Sequence, residues 1–227
     1  MSDNIDYVDG VIEKKGYREK WLRHAYKHKP HPINYGIHMD THHLISAEAV
    51  NISKLAQLLI DKGYMINDIN NLVGFPATLP AACHLELQLH RGDHLYKRPN
   101  EEPYHKYVSG LISSKKKKIK SCYGRTKVRE KKTEIHKLLD PLSITILKEI
   151  NAFDLPLTDI FDRFEKSSGG GCHQCFDIVP SKSSTTPCLT RDHSNQVDYR
   201  YQDSDVTGNK KNITYSKNNN WEPKVGL

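Results

Sequence analysis

Residues 40–50 read DTHHLISAEAV and contain two adjacent histidines, His42 and His43. Residues 37–46 (IHMDTHHLIS) are predicted to be extended. Neighbouring side chains of an extended chain point to opposite faces, so His42 and His43 are expected to face different ways. One of the two can then face a metal ion while the other faces a substrate as a base.

A second pair, His90 and His94, lies in LHRGDH with three residues between the two histidines. On a helix, two residues at this spacing lie one turn apart on the same face, so both rings can reach one divalent ion, with zinc at about 2.0–2.1 Å. A third ligand from elsewhere would leave a coordination position open, as a catalytic metal needs. The spacing also arises by chance in a chain with 13 histidines, and Gly92 disfavours a helix here.

The composition is that of a folded chain with a modest core. Of 227 residues, 37% are hydrophobic and 27% are charged, which allows one domain with an appendage or two small domains. The chain has no glycine period, no sustained heptad and no long apolar run, which excludes collagen, coiled-coil rods and membrane proteins. The polar start MSDNIDYVDG shows no signal peptide, so any export is expected to use another route.

Hydrophobic periodicity predicts several helices between short strands. Helices are expected over 11–28, over 52–62 with Asn51 as cap, and from residue 101 onward. Residues 127–152 are predicted as two helices separated at Pro141. We divide the chain into a basic N-terminal helix (1–30), a core (31–113), a basic helical segment (114–166) and a C-terminal tail (167–227).

Residues 115–132 (KKKKIKSCYGRTKVREKK) carry ten basic residues and one acidic residue, a local net charge of +9. The whole chain carries +7, so the remainder carries 7 − 9 = −2. Such a concentration favours a polyanionic partner, either nucleic acid or an acidic protein. A solvated linker surface is the alternative interpretation. The lysines expected to bind nucleic acid are Lys115, Lys116, Lys117, Lys118 and Lys120.

The polar tail contains a spacing typical of small zinc modules. Cys172 and Cys175 are separated by two residues, and Cys188 and His193 follow at distances that can close a tetrahedral site. Bound zinc would supply folding free energy that a tail with so few apolar residues lacks. A disordered tail with incidental cysteines is the alternative. The prediction is a closed, structural zinc site.

The order of DTHHLISAEAV, NDINNLVGFP, LHRGDH and the YHKYV helix resembles the AHH nucleases of the HNH and endonuclease VII superfamily. The resemblance covers about residues 38–112, with Thr41 where alanine is usual and an insertion (LYKRPNEEP) after His94. It implies an α+β fold with a treble-clef-like ββα-metal core, to which we add further helices and the small zinc-binding C-terminal module.

The resemblance also implies roles for individual residues. His43 is expected to be the general base, and His42, His90 and His94 are expected to bind a divalent metal (Mg, Mn, Ni or Zn). Asn71 is expected to orient the base or its loop, with Asn70 as a competing candidate. Arg91 is expected to bind a phosphate, because a guanidinium matches two phosphate oxygens.

These roles predict a metal-dependent endonuclease that hydrolyses phosphodiester bonds of DNA, or of RNA. The family occurs as toxin domains in bacterial polymorphic and type VI secretion effectors. The resemblance therefore implies delivery by a specialised secretion system and action in the target-cell cytoplasm. The expected partner is an acidic immunity protein, and no binding to a membrane is expected. The alternative is a non-catalytic nucleic-acid-binding zinc protein, in which the histidines are structural and the lysines bind.

Overall fold

A computed structural model describes residues 7–8, 10–90, 94, 97, 99–122, 126–127, 134–157 and 213–227. The zinc ligands predicted from the sequence (Cys172, Cys175, Cys188 and His193) and Arg91 lie outside these residues. No described helix is long and apolar enough to cross a membrane.

The described residues form a small α+β fold of short strands and helices. The strands are β1 (Tyr7–Val8), β2 (Met39–His43), β3 (Leu72–Pro76) and β4 (Thr126–Lys127). The helices are α1 (Tyr17–Lys27), α2 (Ala47–Ile52), α3 (Ala56–Asp61), α4 (Leu79–Leu85), α5 (Tyr104–Ser114), α6 (Lys116–Ser121) and α7 (Glu134–Asn151). Strand β1 pairs with β4, and β2 pairs with β3, both antiparallel.

The β2–β3 pair is the platform of the site, with Met39 opposite Pro76 and His43 opposite Leu72. Helix α1 packs on this pair through Trp21, which is fully buried. The indole ring covers Gly74, where a Cβ atom would overlap it. The helix predicted over 11–28 is confirmed only in part, because it begins at Tyr17 rather than at residue 11.

The predicted helix over 52–62 is confirmed only for Ala56–Asp61, because residues 53–55 separate α3 from a second short helix, α2, that ends at Ile52. Ser46 begins α2, where its Oγ accepts a hydrogen bond from the Ala49 N–H at 3.1 Å. Lys54 then adopts a left-handed conformation with φ of 58°, which ends the first helix before α3 starts. Asn51 lies inside α2 rather than at its cap.

Helices α5, α6 and α7 enclose the main hydrophobic core with α2 and α3. Ile112, Ile119 and Ile146 are fully buried in one cluster with Val50 and Leu59. The predicted break at Pro141 is wrong, since α7 continues through it from Glu134 to Asn151. The proline removes one backbone donor, but the apolar residues before and after it bury the same face in this core.

The segment after α4 leaves helical geometry before it reaches the metal-binding candidates. Glu86 has a φ of 54° and Leu87 N–H donates to the Ala82 carbonyl, which closes the helix end. The Gln88 side chain is buried and binds the backbone of Ile150, Leu155 and Leu157. His90 N–H then donates to the Pro76 carbonyl at 2.8 Å.

The expected placement of His90 and His94 on a helix is therefore wrong for the described residues. His90 lies in an irregular segment anchored to the end of β3, and His94 has a φ of 57°. A left-handed residue cannot continue a right-handed helix. The His90 backbone N–H is bonded to the Pro76 carbonyl and the His94 ring to the Leu157 carbonyl, and these bonds hold the two residues in the cleft.

The last described residues, 213–227, pack against the β2–β3 pair. Gly226 N–H donates to the Leu72 carbonyl, and Gly74 N–H donates to the Leu227 carbonyl at 3.0 Å. Tyr215 is buried in the cluster that contains Trp21. This segment covers the outer edge of β3, so these backbone groups of the strand are paired.

Candidate active site

A cleft of about 270 Å³ opens where β2, the segment before α1, the segment after α4 and α5 meet. It is polar, and imidazole rings dominate its lining. The lining residues are Lys14, Tyr17, Thr41, His42, His43, Ser46, His90, His94 and His105. A concave site with several convergent titratable groups is the expected location of chemistry in a small domain.

Three imidazoles in this cleft can hold one metal ion. One ring nitrogen from each of His42, His90 and His94 lies within 4.8 Å of those of the other two. His42 Nδ1 and His90 Nε2 are 3.0 Å apart, close to the roughly 3.4 Å that separates two ligands of a tetrahedral zinc ion. Within the described part of the chain, no other group of three or more such side chains forms a candidate site.

Hydrogen bonds behind the rings turn the lone pairs toward the centre of the cluster. The Tyr104 hydroxyl donates to the Leu44 carbonyl at 2.7 Å, so it accepts from His42 Nε2–H, also at 2.7 Å. This leaves the His42 lone pair on Nδ1, which faces His90. His94 Nδ1–H donates to the Leu157 carbonyl at 2.9 Å, which places its lone pair on Nε2. Such outer partners are typical of metal-binding histidines.

The environment keeps the His42 and His90 rings uncharged. Burial lowers the pKa of His42 well below its usual 6.5, and the neighbouring His90 and His94 lower it further. Burial likewise lowers the pKa of His90, again with a contribution from His94. A neutral imidazole is the form that binds a metal. The donor set, the spacing and the protonation state therefore all fit a divalent cation.

His43 occupies the other face of β2, next to the cluster. Its ring lies 4.2 Å from the Tyr17 ring, centroid to centroid, and its Nε2 is 2.9 Å from Asn67 Oδ1. Burial lowers the pKa of His43 to about 4, against an opposing contribution from the Asn67 hydrogen bond. The ring is therefore neutral at pH 7 and can accept a proton.

Asn71 fixes the loop that follows His43. Its Oδ1 accepts from the Ile45 N–H at 2.7 Å, and its Nδ2 donates to the Ile45 and Ile66 carbonyls, both at 2.9 Å. Ser143 on α7 donates to the same Oδ1. These bonds are with the loop backbone and α7, whereas the side chain bonded to the His43 ring is Asn67. The competing candidate, Asn70, binds Asp68 in the preceding turn.

Thr41 departs from the alanine that gives the AHH motif its name. Its side chain is 4% exposed and lines the cleft on the same face of β2 as His43. Its Oγ1 is buried without a hydrogen-bond partner. The larger side chain is thus accommodated beside the base without displacing either histidine from the cleft.

The predicted nucleic-acid-binding lysines lie at the far end of α5 from the cluster. Helix α5 starts at Tyr104 beside His42 and spans 11 residues, about 16 Å at 1.5 Å per residue. Lys116, Lys117, Lys118 and Lys120 of α6 are exposed, while Ile119 between them is buried in the core. The lysines thus form a surface of α6 outside the cleft.

Sequence reasoning missed several residues of the site. Asn67 and Tyr104 bind the two adjacent histidines, and Ser46 Oγ lies 2.8 Å from His105 Nδ1 at the edge of the cleft. Tyr104 and His105 are the first residues of α5, and their hydroxyl and imidazole groups could have marked this end of the helix as part of a site. Nothing in the sequence indicated Asn67 other than its position in a turn.

Comparison with known proteins agrees with this geometry. The sequence profile of the AHH family, described as a nuclease family of the HNH/ENDO VII superfamily with conserved AHH, matches residues 14–143, more than half of the 227 residues. No curated protein and no solved structure shows a significant match. The matched region contains the adjacent histidines, the His90–His94 pair and Asn71. The chain belongs to the AHH nuclease family of the HNH/ENDO VII superfamily.

Proposed function

We propose that this nuclease is a metal-dependent endonuclease that hydrolyses phosphodiester bonds of DNA, with RNA as the alternative substrate. The observation that carries the proposal is the arrangement of one cleft. The imidazoles of His42, His90 and His94 bring their ring nitrogens within 4.8 Å of one another, and a fourth imidazole, His43, lies beside them with a separate set of partners. A metal-binding cluster next to a base is a complete set for phosphodiester hydrolysis.

His42, His90 and His94 would hold the ion, and Tyr104 and the Leu157 carbonyl would orient two of the rings. Bound there, a divalent cation would offset negative charge at the scissile phosphate and on its leaving oxygen. Mg, Mn, Ni and Zn are all candidates for this site. Three neutral nitrogen ligands favour the imidazole-binding ions Zn and Ni over Mg.

His43 acts as the general base in this proposal. Because Nε2–H donates to Asn67, the lone pair of the neutral ring is on Nδ1, and this nitrogen takes the proton of the attacking water. The water oxygen forms a bond to phosphorus while the bond from phosphorus to the 3′ oxygen breaks. The leaving 3′ oxygen takes up a proton from solvent, so the products carry a 5′-phosphate and a 3′-hydroxyl, and His43 later returns its proton to solvent. Asn71 supports this step by holding the loop after His43 in place.

Substrate binding is proposed to involve surfaces on both sides of the cleft. The exposed lysines of α6, together with Lys115, would contact backbone phosphates without sequence preference. At about 16 Å from Tyr104 along α5, they would reach phosphates that flank the scissile one. Arg91, between two proposed metal ligands in the sequence, would bind a phosphate closer to the reaction.

The biological role we propose is that of a bacterial toxin domain neutralised by an immunity protein. The support is the family, together with the +9 charge of residues 115–132, which complements an acidic partner and speeds encounter with it. Delivery by a specialised secretion system and action in the target-cell cytoplasm belong to the same proposal. The structural zinc site at Cys172, Cys175, Cys188 and His193 also remains a proposal.

The test is cleavage of plasmid DNA and of a matched RNA, with each candidate metal in turn, by the wild-type protein and by His43→Ala. Loss of a general base lowers the rate by about 10²- to 10⁴-fold, while substrate affinity should persist because the phosphate-binding groups lie elsewhere. His24→Ala, an exposed histidine on α1, is the matched control and should cleave normally. Wild-type cleavage by His43→Ala would refute the assignment of the base. Binding without cleavage by the wild type would favour the non-catalytic alternative.

A further inference from the structure

We propose that Asn67 is the positioning residue for His43, and that an amino-terminal arm, residues 10–15, sets its orientation. The inference rests on the proposed function, because it takes His43 to be the general base and identifies the residue that orients its ring. Asn67 Oδ1 lies 2.9 Å from His43 Nε2, and the two residues are separated by 24 positions in the sequence. The family resemblance assigns a role neither to Asn67 nor to the arm.

The direction of this hydrogen bond follows from the other end of the amide. Asn67 Nδ2 donates to the Glu13 carbonyl at 2.7 Å and to the Lys15 carbonyl at 3.2 Å. Carbonyl oxygens only accept, so the nitrogen of the amide must face the arm and its oxygen must face His43. His43 Nε2 is then a donor and carries the ring proton, which leaves the lone pair on Nδ1.

The arm is itself held by backbone hydrogen bonds. Val11 N–H donates to the Tyr64 carbonyl at 2.9 Å, and Ile66 N–H donates to the Val11 carbonyl at 2.8 Å. Gly10 approaches the backbone of Tyr64 so closely that a Cβ atom would overlap it. The carbonyls that orient Asn67 are therefore presented by a fixed segment, which is bonded to the residues just before Asn67 although it is far from them in the sequence.

This arrangement holds the ring on two sides. Tyr17, which follows the arm, packs on the His43 ring, and Asn67 fixes which nitrogen is protonated. Removing the amide would leave the ring in its place beside Tyr17 but without a partner for Nε2–H. Both tautomers and a flipped ring would then be populated, and only part of the population would present the Nδ1 lone pair to water. We expect a lower kcat with little change in KM.

The tautomer can be measured directly, without any activity. In ¹⁵N-labelled protein, two-bond proton–nitrogen correlation spectra show which nitrogen of each histidine ring carries the proton, and His43→Ala identifies the signals of His43. The spectrum of the wild type should show the proton on Nε2. Asn67→Ala should shift these signals toward a mixture of tautomers.

Kinetics and a matched control complete the test. Asn67→Ala should lower kcat by about 10- to 100-fold, the range known for loss of an outer partner of a metal-binding histidine. Asn51→Ala removes an exposed amide on α2, so it should change neither kcat nor the tautomer. A wild-type proton on Nδ1, or an unchanged tautomer and kcat in Asn67→Ala, would overturn the inference. Absence of cleavage by the wild-type protein would instead contradict the proposed function, and the tautomer result would still decide the role of Asn67.

Discussion

Replacing Tyr104 with phenylalanine removes one oxygen atom from behind the proposed metal-binding cluster and leaves the aromatic ring in place. That oxygen accepts from His42 Nε2–H and donates to the Leu44 carbonyl, both at 2.7 Å. Tyr104 is fully buried, so water cannot easily take over either bond. The variant therefore tests whether the hydrogen bond that orients His42 matters for metal binding.

The expected loss is set by these two bonds. Loss of an outer partner of a metal ligand weakens metal affinity by about 10- to 100-fold, which corresponds to about 1.4–2.7 kcal/mol. Leaving a buried donor and a buried acceptor without partners should also lower the free energy of unfolding by about 1–3 kcal/mol. Metal affinity is measured by titration calorimetry with Zn²⁺. Every variant also carries Cys172→Ser and Cys175→Ser, so that the proposed zinc site of the tail cannot bind the added metal.

Tyr107→Phe is the matched control because Tyr107 lies one turn further along α5. Its hydroxyl donates to Glu149 Oε1 at 2.8 Å, away from the cluster. This variant should lose about 1–3 kcal/mol of stability and keep the parental metal affinity. Unchanged affinity in Tyr104→Phe, or an equal loss in Tyr107→Phe, would refute the assignment of His42 as a metal ligand oriented by Tyr104.

Three further outcomes are expected. Burial lowers the pKa of His31 from 6.5 to about 3. Between these two pH values the ring is protonated in the unfolded chain but not in the folded protein. The free energy of unfolding therefore decreases as the pH falls below 6.5, by at most about 1.4 kcal/mol per pH unit. His31→Asn, which keeps an acceptor for the Ile33 N–H, should flatten this dependence in urea unfolding; an unchanged slope would contradict the buried neutral ring. Neutralising Lys115 to Lys118 should reduce the slope of log K against log salt by about 0.9 for each phosphate that the variant no longer binds, whereas an unchanged slope would indicate a solvated surface. Elemental analysis of a His90→Ala and His94→Ala variant should find one zinc ion, and adding Cys172→Ser and Cys175→Ser to that variant should remove it; zinc retained by the fourfold variant would exclude the module.

Much of the site could be predicted from the sequence because histidines, which bind metals and act as bases, carry most of its chemistry. Adjacent histidines on a strand must face opposite ways, and the structure places His42 with the cluster and His43 against Tyr17. The helices α1 and α5 were predictable from apolar residues at helical spacing. The family itself followed from motif order, and the profile match confirms it.

The remaining features depend on interactions between distant segments. Whether α7 continues through Pro141 is decided by the burial of its apolar face in the core, which no local propensity reveals. The irregular segment that ends at His90 depends on buried Gln88 and its partners near residues 150–157. Asn67 gains its role only because carbonyls more than 50 residues away fix its amide.

Metal-dependent nicking of supercoiled plasmid tests the central claim most directly. The wild-type protein is assayed as purified, after treatment with a chelator and after metal is added back, alongside His90→Ala under the same conditions. The wild type should nick the plasmid, lose activity with the chelator and regain it with metal, while His90→Ala should not regain it, because one of three ligands is missing. Nicking that resists the chelator, or full recovery by His90→Ala, would contradict the claim that His42, His90 and His94 hold the metal that this nuclease requires.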